Sequence, residues 1–138
     1  MRYLFLALAA LLVAFSTTAS VTFSDFRASS EADGIHLRWT TSQEDGIKDF
    51  AVEKASQING QFIQLDGTIA AEGAGSTYQF IDNSLYKSTS STLYTYRVRA
   101  DGYDGSASYS TAQSVSYSFT GLSGVAKRTW GSIKAMFR

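Results

Sequence analysis

The chain has one histidine, His36, no cysteine and twelve carboxylates, so any chemistry must come from a narrow set of groups. A Ser-His-Asp triad or a histidine metal site needs that imidazole beside a nucleophile or further ligands. His36 instead falls beside Arg38 on the outward side of an alternating pattern and reads as a surface histidine. The lack of cysteine excludes disulfides, thiolate metal sites and a thiol nucleophile. Asp101-Gly102-Tyr103-Asp104-Gly105 resembles a fragment of a calcium loop. An EF-hand loop needs more oxygen ligands and a glutamate at its twelfth position, so the segment reads as a turn built on Asp-Gly. Glu44, Asp45 and Asp49 form an acidic stretch, expected as a solvated loop. Paired carboxylates can hydrolyse glycosides, but only with a sugar held between them, and a domain this small rarely has such a cleft. Gly73-Ala74-Gly75 lacks the lysine of a phosphate loop. No catalytic, cofactor-binding or metal site is therefore expected, and no cofactor.

Binding chemistry is better represented. Arg38, Arg97 and Arg99 fall on outward positions with aromatics nearby. Arginine over an aromatic ring contributes about 0.5–1 kcal/mol at an exposed site. Surface filling is the plainer expectation for these residues, and a ligand face is the alternative. The last seventeen residues carry four basic side chains and no acidic one. On a helical wheel Leu122, Val125, Ala126, Trp130, Ile133, Met136 and Phe137 share one arc, and Lys127, Arg128, Lys134 and Arg138 share the opposite one. Residues 121–138 are thus expected to form a short amphipathic helix. An isolated helix of this length is marginal in water, so it should fold on something. Val125, Lys127, Arg128, Trp130, Ile133, Lys134, Phe137 and Arg138 are the docking candidates. Their target is an anionic membrane surface, a partner protein such as export or attachment machinery, or the chain's own domain.

The remaining sequence must position these groups. Seven short strands separated by turn signals are expected: Val21–Ala28, Ile35–Thr41, Phe50–Lys54, Phe62–Leu65, Tyr78–Phe80, Tyr94–Ala100 and Ala107–Phe119. Phe23 and Phe26 break strict alternation, which predicts a bulge in the first strand. The stretch 42–49 is expected as a charged loop, and 67–77 shows no clear period. Leu37, Trp39, Phe50, Val52, Tyr78, Phe80, Tyr94, Tyr96 and Val98 are the expected core. Ala51 and Glu53 are expected to face outward. No proline is present.

The start of the chain has the order of a secretory signal. Met1-Arg2 is positive, Tyr3–Phe15 is apolar or aromatic, and residues 16–20 are small, with Ala19 as the expected cut. The apolar run is shorter than the roughly 20 residues that span a bilayer. Residues 1–20 are therefore expected as a signal helix and 21–120 as the folded domain. The expected destination is the periplasm, cell surface or exterior. Net charge over the chain is zero, which gives no pull toward nucleic acid.

Three segments bring a family into view. Leu37-Arg38-Trp39 sits on the second strand, Phe50-Ala51-Val52-Glu53-Lys54 on the third, and Leu85 precedes the run from Leu93 to Asp101. Together they resemble a fibronectin type III domain. The runs Leu37–Glu44 and Asp101–Ser110 resemble the fibronectin-type modules of secreted Bacteroidetes-like bacterial proteins. The resemblance spans about Val21 to Tyr117 and lacks the family's usual prolines. It implies an all-β, seven-stranded antiparallel immunoglobulin-like sandwich. It also implies that Tyr94 is a tyrosine corner, with its hydroxyl on a backbone group. The fold hosts many binding and spacer roles. The expected function is an exported, non-catalytic binding or adhesion module that meets a protein or glycan. A structural envelope or filament component, docked through its tail, is the other expectation.

Overall fold

A computed structural model describes residues 18–56, 60–85 and 90–119. The signal region before Thr18 and every tail residue named above lie outside the described residues. Nine strands are present among those described: β1 Ser20–Glu31, β2 Gly34–Asp45, β3 Ile47–Ser56, β4 Ile63–Gln64, β5 Ile69–Ala70, β6 Thr77–Asp82, β7 Thr92–Gly102, β8 Ala107–Tyr109 and β9 Gln113–Tyr117. The fold is all-β. A smaller antiparallel sheet has the order β1-β2-β6, and a larger one has β4-β3-β7-β8, with β5 also on β3 and β9 also on β7. The sheets pack face to face.

The strands differ from the sequence expectation in three places. The supposed loop 42–49 is strand up to Asp45, turns at Gly46 (φ +64°) and resumes at Ile47. Its polar residues find backbone partners in β1, where Ser20 pairs with Asp45 and Val21 with Glu44. The expected single last strand is split at 110–112 into β8 and β9, which both pair with β7. The aperiodic stretch 67–77 contributes β5, too short to leave a pattern. The predicted bulge is present: the β1–β2 register slips between Phe23 and Asp25. The slip lets both Phe23 and Phe26 pack on the core.

The core is aromatic. Trp39 stacks on Tyr78 at 5.5 Å, and Phe50 meets both rings, tilted against Tyr78 at 4.8 Å and edge-on to Trp39 at 6.0 Å. Leu37, Val52, Tyr94, Tyr96 and Val98 are buried with them. Phe80 is only half-buried and packs at the margin. The sheet edge leaves its ring beside Leu65 and Ile81 at a surface depression. Tyr94 is buried with the Lys54 ammonium 5.3 Å from its ring centre.

One charged group crosses the interface. Asp82, at the end of β6, is 2% exposed. Its Oδ2 accepts from Lys54 Nζ of β3 at 2.8 Å and from the Tyr96 hydroxyl of β7 at 2.7 Å. Its Oδ1 accepts from the Ser84 amide and hydroxyl. Burial pushes the carboxyl pKa up, but the donors from Lys54, Ser84 and Tyr96 outweigh it and hold Asp82 below the ordinary 3.8. Burial and the Asp82 charge push the Tyr96 phenol well up. Gly34 leaves room for this corner, since a Cβ there would collide with the Asp82 carbonyl oxygen.

Two outcomes follow for stability. Trp39→Ala should cost about 3–5 kcal/mol, and urea titration should show most of the native transition gone. Asp82 is ionised more readily folded than unfolded, so its contribution is present above the ordinary aspartate range and lost as pH falls through the folded value. Wild-type urea midpoints should therefore drop below about pH 4. Asp82→Asn should lower the midpoint at neutral pH and make that acid drop shallower.

Candidate functional site

The outer face of the larger sheet carries the densest arrangement of polar and aromatic groups among the described residues. Alternation along β7 sends Tyr94, Tyr96 and Val98 inward, which leaves Leu93, Thr95, Arg97, Arg99 and Asp101 outside. On β3 the outward residues are Ala51, Glu53 and Ala55. The register sets Glu53 opposite Arg97 and Ala51 opposite Arg99.

Glu53 is the hub. It faces outward as expected, yet it is only 6% exposed. The arginines cover it: Arg97 Nε donates to Oε2 at 2.5 Å, and Arg99 Nη1 to Oε1 at 3.1 Å. Ala51 is buried on the same face. Both positions face outward and are nevertheless buried, because long arginine side chains lie flat across the small and acidic residues beneath. Arg99 also donates to Asp101 at 2.8 and 3.1 Å and to Gln64 of β4 at 2.9 Å. The Asp101 carboxylate, with help from Glu53, raises the Arg99 pKa against the opposing effect of burial.

Two rings complete the face. The Arg97 guanidinium lies 4.1 Å from the ring centres of both Phe62 and Tyr109. Phe62 comes from the chain just before β4 and Tyr109 from β8, so the rings approach Arg97 from opposite edges of the sheet. Tyr109 keeps 49% of its surface exposed, and Leu93 keeps 37%. Below them, Ala55, Phe62, Leu93 and Thr95 line an apolar depression of about 250 Å³. Arg97 is held by a carboxylate and two rings, so its face is fixed before any partner arrives.

The other sequence candidates are scattered. His36 Nε2 is 2.7 Å from Asp33 Oδ1 and 3.7 Å from Glu31 Oε2, at the exposed β1–β2 hairpin tip. One ligand atom from each of the three lies within 4.8 Å of the others, so the tip has donors suited to a divalent cation. Contact with the His36 imidazole holds the Asp33 carboxyl below its ordinary pKa. Arg38 lies on the outside of the smaller sheet opposite Arg27, at a depression lined also by His36, Gln79 and Ile81. Glu44 ties down a loop: its Oε1 accepts from the Tyr78 hydroxyl at 2.6 Å and from Thr41, and its Oε2 from the Gly73 amide at 2.9 Å. Asp45 ends β2, and Asp49 lies in β3, its backbone opposite Ala70 of β5 and Asp101 of β7. Asp101 serves Arg99, and Asp104 caps its own turn through Ser106.

Sequence reasoning missed Glu53, Phe62 and Tyr109 as a unit with Arg97. The signal was present in part: an acid on an outward strand position, opposite an Arg-x-Arg run, asks for a cross-strand ion pair. Against known proteins, the sequence matches no family model and no curated sequence.

Removing Glu53 leaves two arginines over a buried patch. Glu53→Ala should destabilise by about 3 kcal/mol, the low end for breaking a buried pair because both arginines reach water. Tyr109→Ala should cost about 1 kcal/mol or less. Paired urea titrations at one pH read the difference.

Proposed function

We propose that the chain is an exported, non-catalytic binding or adhesion module of the fibronectin type III kind, working at the bacterial cell envelope or surface. The outer face of the larger sheet is its contact surface. The observation that carries this reading is Arg97, clamped by Glu53 between Phe62 and Tyr109, with Tyr109 and Leu93 still half open to solvent. Contact energy concentrates on tyrosine and arginine anchors that are already ordered. Stacked rings and a rim of Gln64, Thr95 and Ser114 suit a protein or a glycan.

What supports the fibronectin type III reading is the partition of strands. β1, β2 and β6 share one sheet, while β3, β7 and the last strands share the other, as in immunoglobulin-like sandwiches. What supports the non-catalytic reading is the engagement of the acids: Glu44, Glu53 and Asp82 each take two or more donors from structural groups. Export rests on the order of residues 1–20. A structural or assembly role, docked through residues 121–138, is the second reading. It is favoured by the chain's direction: β1 begins beside Asp45, whereas β9 ends beside Thr92 at the opposite pole. The basic amphipathic tail therefore departs from the far end of the domain.

A photo-crosslinking residue at position 109 of the exported protein should yield adducts with a surface component, and one at position 79 on the other sheet should not. Adducts at 79 alone would sink the assignment of the face. Adducts lost only when residues 121–138 are deleted would favour the second reading.

A further inference from the structure

Arg97 and Arg99 share Glu53 on the outer face of the larger sheet, but they differ in how many donors they have spent. Arg99 is fully engaged: its Nε donates to Asp101, its Nη1 to Glu53, and its Nη2 to Asp101 and Gln64. Arg97 donates through Nε alone, to Glu53 Oε2. Its Cζ lies 4.1 Å from the ring centres of Phe62 and Tyr109. The two rings arrive from opposite edges of the sheet and cover both faces of the guanidinium plane. The Nη edge is what remains to meet solvent, and the side chain keeps 29% of its surface exposed.

Such an edge is selective. Two N–H bonds leave it side by side in one plane, the fork that fits both oxygens of a carboxylate. The charges agree. Glu53 is shared between two guanidinium groups and Asp101 is taken up by Arg99, so Arg97 has only a share of one counter-ion. The clamp has already ordered the side chain, which lowers the entropy lost on binding.

Beside the fork lies an apolar well. Thr95 is two residues back along β7 on the same face, about 7 Å away. Past it, Ala55, Phe62 and Leu93 line the depression of about 250 Å³. Phe62 serves both places, as a ring on Arg97 and as a wall of the well. An extended partner chain repeats its same-side residues at that spacing too, so an acid on Arg97 sets the next same-side residue over the well. A sugar acid would instead need free hydroxyl partners around its carboxylate. Thr95 Oγ1 is already bonded to Ser114 Oγ at 2.8 Å, and Gln64 Oε1 already accepts from Arg99.

Resting on the contact-face reading, we propose that this face binds an extended protein segment with an acidic residue two positions from a large apolar one. The Nη edge of Arg97 receives the carboxylate, and the apolar side chain enters the well between Phe62 and Leu93.

The test uses the full chain, nitrogen-labelled for NMR, and two end-blocked probe peptides, Ser-Leu-Ser-Asp-Ser and Ser-Leu-Ser-Asn-Ser. The aspartate peptide should shift the amide signals of Leu93, Thr95 and Arg97 and bind at least about tenfold more tightly than the asparagine peptide. Arg97→Gln should abolish that ratio, and Arg97→Lys, which keeps the charge without the fork, should reduce it. Leu93→Ser should weaken both peptides alike. Equal binding of the two peptides at these amides overturns the acid recognition and leaves the contact face standing. Shifts around Gln79 on the other sheet overturn the face, and the proposal with it. Shifts of the β7 amides by glucuronate and by neither peptide overturn the protein segment in favour of an acidic sugar. No shift from any probe at millimolar concentration overturns the proposal, while crosslinks from position 109 still report on the face.

Discussion

The fold depends on a charge placed where apolar contact alone would leave the two sheets free to slide. Aromatic packing among Trp39, Phe50 and Tyr78 is attractive over a range of offsets. The Asp82 carboxylate is not, because its partners must arrive at defined distances and angles. It belongs to the smaller sheet, and its partners Lys54 and Tyr96 belong to the larger one. The carboxylate therefore fixes the position of β6 over β3 and β7. An unpaired acid at that depth would be costly, so alternative offsets that separate it from Lys54 are disfavoured. Gly34 is the steric counterpart, an empty position that lets the hairpin end close over the Asp82 backbone.

A second acid plays the matching part on the outside. Glu53 and Lys54 are neighbours in sequence, and the strand turns them to opposite faces. Lys54 meets Asp82 within the sandwich, and Glu53 meets Arg97 and Arg99 beyond it. β3 is therefore covered on both sides, which accounts for its unbroken burial from Phe50 to Glu53. The surface that remains available belongs to β7, β8 and Phe62. The proposed contact face is thus held by an ion pair, and the ion pair by the strand that also anchors the interior.

Much of the fold could be read from alternation. Ile35, Leu37 and Trp39, and then Tyr94, Tyr96 and Val98, declare their faces because each polar neighbour points the other way. The bulge between Phe23 and Phe26 was visible for the same reason. Alternation failed where burial and orientation part company. Glu53 follows the outward pattern and is buried, since burial there comes from arginines on the next strand. It failed at 42–45 too, where a polar run forms strand because β1 supplies hydrogen bonds that composition does not reveal. β5 was invisible because two residues cannot show a period. The candidate face was half legible: Arg97 and Arg99 stood out, but Phe62 and Tyr109 reach Arg97 only through pairings distant in sequence.

The two ends of the domain leave from opposite poles, and the end strands lie in different sheets. β7 spans eleven residues, so the poles are separated by about 33 Å. β9 runs antiparallel to β7 and its last residue pairs with the first of β7. Tension applied through the C-terminal end, against a hold on the outer face of the larger sheet, is directed along the strand axis. Such a load shears the β7–β9 ladder, straining its rungs together instead of opening them one after another. The strand that leads to the tail is laid in the direction that best resists being pulled.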